Sequence, residues 1–139
     1  MNDTEWKSVK NCCDILKPFH ETTEEMSAEK YTTISKVILI VRGLQKMLQK
    51  IRSTVATEEF QLVANLLKNL SIRFPGIESN LSLAQPTYLD PRFKKKGFTD
   101  DNCLKSCKDS LLISMNRYKD VEKSVLEPTH MPLPVQKED

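Results

Sequence analysis

The sequence predicts an all-α fold, an irregular bundle of about four to six helices, and three observations lead to that class. Only 3 glycines occur in 139 residues, too few for the many tight turns of a β-sandwich or barrel. Charged residues make up 29% of the chain and aromatic residues 6%, as is common in helical domains. Apolar residues recur at steps of three and four along several segments, which is the spacing of amphipathic helices.

The first predicted helix runs over residues 3–17. Its apolar stripe consists of Trp6, Val9, Cys13 and Leu16. We expect Trp6 to anchor this stripe in the core. Pro18 cannot continue the helical hydrogen-bond ladder but is accepted in a first turn, so a turn and a short second helix are expected over residues 18–26.

The next helix has the clearest apolar pattern in the chain. Ser27, or else Thr32 or Thr33, is its predicted N-cap, and it runs to about Arg52. Its inward positions are Ile34, Val37, Ile38, Val41, Leu44, Met47, Leu48 and Ile51. The β-branched residues among them favour a strand when taken alone, but the spacing of three and four over nearly five turns predicts a buried helix.

The second half of the chain predicts two further long helices. Thr57 caps the first of them, and Pro75 with Gly76 ends it. Its inward stripe consists of Phe60, Val63, Leu67, Leu70 and Phe74. The last helix begins after a cap at Thr99, with apolar positions at Leu104, Cys107, Leu111, Met115 and Tyr118.

Between these helices, residues 77–84 are compatible with a short helix, whereas residues 85–97 are expected to form an ordered loop because they contain Pro86 and Pro91. Residues 1–126 therefore form one predicted helical domain. Residues 127–139, which contain three prolines and a charged end, predict a disordered tail.

Several classes of function find no support in the sequence. Three scattered glycines do not make a nucleotide-binding loop, and the two histidines, His20 and His130, have no recognisable nucleophile partner. The cysteines are Cys12, Cys13, Cys103 and Cys107. Cys12 and Cys13 are adjacent, and Cys103 and Cys107 lie about one helical turn apart. Neither pair has the spacing of a zinc site, so we expect free thiols, no bound metal and no cofactor.

The distribution of charge and hydropathy also limits the partners. The net charge is +2, so binding to nucleic acid must depend on a local patch. The longest strongly apolar run, residues 37–41, is far shorter than the roughly 20 residues of a membrane span, and the N-terminus lacks the pattern of a secretory signal. An intracellular protein without a membrane partner is expected.

The segment Leu89–Lys94, Leu-Asp-Pro-Arg-Phe-Lys, is the least generic part of the sequence. Asp90 is expected to accept hydrogen bonds from following backbone N–H groups or from the nearby arginine, while Pro91 fixes a turn. Leu89 and Phe93 are expected to insert into the core. A basic patch of Arg92, Lys94, Lys95 and Lys96 could contact phosphate, although such patches are more often simply solvated.

This segment resembles the LDPRFK motif of the hAT transposase superfamily, which includes host proteins with zinc finger BED domains. Further segments resemble other family patterns in the same order, over about residues 5–118. They are Trp6, then Leu16-Lys17-Pro18-Phe19 followed by Thr22 or Thr23, then Ser27 with Tyr31-Thr32-Thr33-Ile34-Ser35, and finally Arg73-Phe74.

The resemblance implies a helical region that is inserted into an RNase H-like catalytic domain, between its second catalytic aspartate and its glutamate. No residue of this chain matches that triad, and Asp90 belongs to the insert's own signature. The implied protein is not an enzyme but a fragment or domesticated remnant of a transposase that makes DNA or protein contacts in the nucleus. Its partners would be DNA, bound weakly, other proteins, or the rest of a larger transposase-like chain.

For DNA contact, the resemblance and the phosphate chemistry together favour Arg92, Lys94, Lys95 and Lys96. The alternative is a helical scaffold or dimerisation module that does not bind nucleic acid. In that case the basic loop is only solvated surface.

Overall fold

The structure, a computed structural model, describes residues 2–28, 34–55 and 57–126. Within these ranges it contains five α-helices, three short 3₁₀ turns and no strand, which confirms the all-α class. The helices are α1 (Asp3–Ala28), α2 (Val37–Arg52), α3 (Thr57–Arg73), α4 (Leu81–Leu89) and α5 (Asp101–Leu126). The 3₁₀ turns are Ile34–Lys36, Ile77–Ser79 and Lys94–Gly97. The predicted tail at residues 127–139, Tyr31, and the caps proposed at Thr32 and Thr33 lie outside the described residues.

Helix α2 lies between two hydrophobic clusters. The first, which we call the α1–α3 cluster, is formed by buried Ile15, Leu48, Val63 and Leu70. The second, the α4–α5 cluster, is formed by buried Ile38, Val41, Ile77, Ala84 and Cys107. Helix α2 contributes the beginning of its apolar stripe to the second cluster and the end to the first, which confirms the predicted stripe from Val37 to Ile51. The inward position predicted for Ile34 is wrong, because this residue lies in the 3₁₀ turn before α2 and is 40% exposed.

Helix α1 is longer than predicted. It continues through Pro18 to Ala28, so the expected change of direction at Pro18 is wrong. The proline removes one backbone hydrogen bond, but Ile15 and Phe19 on either side of it pack into the α1–α3 cluster and stabilise the helix there. Ser27 lies near the end of this helix, so its predicted role as the N-cap of the next helix is also wrong.

The apolar stripe predicted to be the core face of α1 points into solvent. Trp6 is 60% exposed and Leu16 42% exposed, so the expectation that Trp6 anchors the core is wrong. We call this stripe, which consists of Trp6, Val9, Cys13 and Leu16, the outer stripe. The buried face of the helix is centred on Ile15 instead, because α1 has two apolar faces and only one of them meets α2 and α3.

Helix α4 occupies part of the predicted loop. Its first turn is capped by the side chain of Asn80, which accepts a hydrogen bond from the backbone N–H of Ser82 at 3.0 Å. The helix includes Pro86 and ends at Leu89, so the predicted loop is wrong for residues 85–89. It ends there because Asp90 precedes Pro91 and is therefore restricted to an extended backbone, with ψ of 118°.

Helix α5 packs on the rest of the domain through its first half. Cys107 is fully buried and Leu111 is half-buried, as predicted, whereas Met115 and Tyr118 are exposed. The N-cap is Asp100 rather than the predicted Thr99, because the Asp100 carboxylate accepts a hydrogen bond from the backbone N–H of Asn102 at 2.8 Å.

None of the helices in the described ranges has the length and apolar composition needed to cross a membrane.

Candidate nucleic-acid interface

Residues 90–97, which we call the motif loop, follow directly from the end of α4 at Leu89. The backbone carbonyl of Asp90 accepts hydrogen bonds from the N–H groups of Phe93 at 3.1 Å and Lys94 at 3.0 Å. The N–H of Lys96 in turn bonds to the carbonyl of Phe93 at 2.9 Å. The loop therefore has an ordered backbone although it lies outside the regular helices.

The Asp90 carboxylate joins the motif loop to a distant part of the chain. Its Oδ1 accepts hydrogen bonds from the backbone N and the Nε of Arg92, both at 3.0 Å. Its Oδ2 accepts hydrogen bonds from Arg92 Nη2 and from the hydroxyl group of Ser35, both at 2.7 Å. The contact with Ser35 connects two of the motif segments on which the family resemblance depends.

The same contacts determine the protonation state of Asp90. The hydrogen bond from the Arg92 guanidinium holds the pKa of Asp90 well below its ordinary value, against the opposing effect of desolvation. The hydrogen bond from Ser35 lowers the pKa further. Asp90 is therefore an ionised carboxylate that organises the loop, and its donors already occupy both of its oxygens.

The far end of the motif loop is fixed against α2 and α4. Arg42 Nη1 donates a hydrogen bond to the carbonyl of Gly97 at 2.8 Å. A Cβ atom on Gly97 would lie 2.4 Å from Cγ2 of Thr87, so only glycine fits without a shift of the backbone or of Thr87. Thr87 is itself fully buried and donates from its hydroxyl group toward the carbonyls of Leu83 at 2.8 Å and Ser35 at 3.1 Å.

Glu78 connects Arg42 to the start of α5. Its carboxylate accepts hydrogen bonds from the N–H of Thr99 at 2.8 Å, the hydroxyl of Thr99 at 2.6 Å and the N–H of Asp100 at 3.0 Å. Arg42 Nη1 lies 3.2 Å from the same carboxylate. Burial raises the pKa of Glu78, but the hydrogen bonds from Thr99 and Asp100 and the charge of Arg42 outweigh it and leave the pKa below its ordinary value.

The four predicted DNA-contact residues are not equivalent in the structure. Lys94, Lys95 and Lys96 are exposed along the 3₁₀ turn, and Lys94 adopts a left-handed backbone with φ of 46°. Arg92 pairs with Asp90, and its guanidinium also lies 5.0 Å from the centre of the Phe93 ring. The role of all four in DNA contact stays a prediction, but the lysines present their charge to solvent more directly than Arg92 does.

The apolar members of the motif differ as well. Phe93 is half-buried, but Leu89 is 65% exposed, so the expectation that Leu89 inserts into the core is wrong. Pro91 is exposed and forms part of the turn. Of the upstream motif residues, Pro18 and Phe19 lie half-buried on α1, and Phe19 packs against the α1–α3 cluster.

Sequence reasoning missed the residues that hold the loop, namely Arg42, Glu78, Thr87 and Gly97. A glycine directly after three lysines is the only local signal among them. Arg42 bonds to Gly97 across 55 residues, Thr87 packs against Gly97 from α4, and Glu78 acts through its pairing with Arg42. The apolar period of a helix does not predict such contacts.

The cysteines form no disulfide among themselves in the structure. Burial raises the pKa of Cys107, and burial together with the nearby Asp100 raises that of Cys103, so these two thiols are poor nucleophiles at neutral pH. Among the described residues, no group of three or more histidine, cysteine, aspartate or glutamate side chains could hold a metal ion.

Comparison with known proteins agrees with the motif content. The chain is 30% identical over 100 residues to zinc finger BED domain-containing protein 6 of Homo sapiens, a match that covers 68% of this chain and 10% of that protein. It is 31% identical over 104 residues to zinc finger BED domain-containing protein 4 of Homo sapiens, with 70% and 8% covered. The chain is a distant relative of these proteins.

The corresponding protein 6 of Mus musculus is 30% identical over 103 residues. The chain spans 8–10% of the length of the curated relatives it matches. No protein-family model matches the chain, and no solved structure matches it. The relationship to BED-type zinc finger proteins therefore comes from the relatives and the motifs together.

Proposed function

We propose that this chain is a non-catalytic helical module, derived from a hAT transposase and related to BED-type zinc finger proteins, whose motif loop contacts DNA phosphates in the nucleus. The observation that carries the proposal is the position of Lys94, Lys95 and Lys96. They are three consecutive exposed cations on a backbone that is fixed at both ends. The relationship to BED-type zinc finger proteins supports a nuclear, DNA-associated role.

The fixed backbone favours phosphate binding. Asp90 holds one end of the loop through Ser35, and Arg42 holds the other end through Gly97. Because the backbone is already ordered, binding costs mainly the side-chain entropy of the lysines. Three phosphate contacts predict weak binding, with a slope of log affinity against log salt concentration of about −2.7.

The chemistry of the loop supports a role in contact rather than in catalysis. The only acid of the motif, Asp90, is engaged with Arg92 and Ser35, and its lowered pKa makes it a poor proton donor or acceptor at neutral pH. A metal-dependent strand cleavage by the purified chain would contradict this part of the proposal.

The DNA contact is tested with two variants that remove equal charge. The first replaces Lys94, Lys95 and Lys96 by alanine, and the second replaces the exposed Lys50, Lys68 and Lys119. Fluorescence polarisation with a short DNA duplex at low salt should show a loss of about tenfold or more for the loop variant and a much smaller loss for the other. Equal losses would mean that only net charge matters, and no binding by the unmodified chain would refute the proposal.

A second candidate function is a helical scaffold or dimerisation module. It is favoured by apolar side chains that the fold leaves in solvent, on the outer stripe of α1 and on the second half of α5, where Tyr118 is 76% exposed. If the chain does not bind DNA but does associate with itself, this function is favoured over the first.

A further inference from the structure

The outer stripe of α1 is a second apolar face on a helix that already has one face in the core. Its four residues are all exposed, although Trp6 and Leu16 are large apolar side chains. At about 100° per residue, the four positions fall within an arc of roughly 80° that is turned away from Ile15. An exposed apolar stripe of this kind on a helix is typical of a protein interface.

We propose that a second copy of this chain covers the outer stripe, with the two α1 helices side by side and parallel. The successive steps along the stripe are three, four and three residues, which is the spacing of a and d positions in a coiled coil. Trp6 and Cys13 take a positions, and Val9 and Leu16 take d positions. This inference does not depend on DNA binding, and it specifies the surface for the dimerisation alternative.

The charges beside the stripe favour a copy of the same chain in the parallel direction. Glu5 and Lys10 take the flanking g and e positions, so a parallel pair places each Glu5 opposite Lys10 of the other copy. An antiparallel pair brings Asp3 near Lys17 but places the two Lys10 side chains together at its centre. Only the parallel arrangement gives attraction without this repulsion.

The size of the stripe predicts a weak dimer. Four side chains from each copy bury much less than the roughly 800 Å² per partner of a standard stable interface. The polar residues His20 and Thr23 follow at the next a and d positions, so the apolar seam ends after Leu16. Association should therefore be reversible and depend strongly on concentration.

Analytical ultracentrifugation of the full 139-residue chain tests whether the outer stripe mediates dimerisation. The average mass should rise from one chain toward two as the concentration increases. A variant with Trp6→Ser and Leu16→Ser should associate at least about tenfold more weakly, while its helical circular dichroism stays unchanged because both residues are exposed. A control with Leu112→Ser and Tyr118→Ser, exposed apolar positions on α5, should still form dimers.

The two adjacent cysteines of α1 test the direction. In a parallel pair Cys13 faces Cys13 of the second copy, whereas Cys12 lies about 100° around the helix. Under mild oxidation, a Cys12→Ser/Cys103→Ser chain should form disulfide-linked dimers, and a Cys13→Ser/Cys103→Ser chain should not. Cys107 stays in both chains because it is fully buried.

Each other outcome counts against the proposal. A chain that stays monomeric at its highest soluble concentration overturns it and leaves the stripe to a different protein partner. Dimers that persist in the Trp6→Ser/Leu16→Ser variant show that another surface is used. Dimers that form through α1 without linkage at Cys13 overturn the parallel arrangement, because an antiparallel pair places Cys13 opposite Val9.

Discussion

Two buried glutamates lie in different parts of the molecule and have different surroundings. Glu78, beside the α4–α5 cluster, accepts hydrogen bonds from Thr99 and Asp100 and pairs with Arg42. Glu59, beside the α1–α3 cluster, is 2% exposed, accepts one hydrogen bond from Asn11 at 2.8 Å, and has no hydrogen-bond partner for its Oε2 atom among the described residues.

The difference reflects what each part of the fold must hold in place. Near the α4–α5 cluster the chain contains a long connection between helices, whose backbone groups need partners from side chains such as Glu78, Asp90 and Arg42. Near the α1–α3 cluster three helices satisfy their own backbone groups and mainly bury apolar surface. Polar contacts therefore define the loop, and apolar packing defines the helices.

The largest effect is expected from Leu48→Ala in the α1–α3 cluster. Leu48 is fully buried, so truncation leaves a cavity and should lower the free energy of unfolding by about 2–5 kcal/mol. Leu16→Ala, at an exposed position of α1, is the matched control and should cost far less. Urea denaturation measures both, and similar losses would contradict the assignment of the core face of α1.

The next effect is expected from Gly97→Ala in the motif loop. The new Cβ would clash with Cγ2 of Thr87 and should cost about 1–3 kcal/mol. Thr87→Ser removes that methyl group but keeps the hydroxyl, so the double variant should lose less stability than the two single variants added together.

Gly43→Ala is the control for Gly97→Ala. A Cβ there meets nothing within 4 Å, and the residue lies inside α2, so stability should rise by up to about 1 kcal/mol. A stabilising effect of Gly97→Ala in thermal unfolding would refute the described packing of the loop.

A smaller effect is expected from Glu78→Gln, which we predict to cost about 1 kcal/mol at neutral pH because charge-assisted hydrogen bonds are lost. The folded-state pKa of Glu78 is lowered, so its contribution is fully present above its unfolded pKa of about 4.3 and is lost as the pH falls through the folded value. Unfolding followed from pH 7 to pH 3 should therefore show a weaker loss of stability in the variant than in the unmodified chain.

Glu59→Gln sharpens the comparison between the two glutamates. Its pKa is also lowered, chiefly by the hydrogen bond from Asn11. Because one carboxylate oxygen has no partner among the described residues, the neutral amide should change the melting temperature less than Glu78→Gln does. If Glu59→Gln lowers the melting temperature more than Glu78→Gln does, the distinction drawn between the two glutamates is wrong.

The apolar period of the sequence predicted most of the buried faces of α2 and α3, although Ile34 and Phe60, both predicted to point inward, are exposed. It failed to orient α1, where two faces are apolar and only tertiary contact decides which is buried. It also missed the helical part of residues 85–89, since Pro86 is unfavourable inside a helix, yet α4 forms with Ala84 and Thr87 buried.

The candidate site was predictable only in part. The Asp90–Arg92 contact spans two residues and was inferred from residue type. The contacts of Asp90 with Ser35 and of Gly97 with Arg42 connect segments that are far apart in the sequence. Such contacts depend on how α2 and α4 pack, which a local pattern does not encode.

These two long-range hydrogen bonds also bear on the order of folding. Both span 55 residues, because Ser35 and Arg42 are as far apart in sequence as Asp90 and Gly97. Closing a chain segment of that length costs roughly 3–4 kcal/mol of entropy in addition to a constant term. Once the first of the two hydrogen bonds has closed the segment, the second forms with little additional loss of entropy. We expect α2 and α3, which are adjacent in sequence, to pair early and the motif loop to dock late and as one unit.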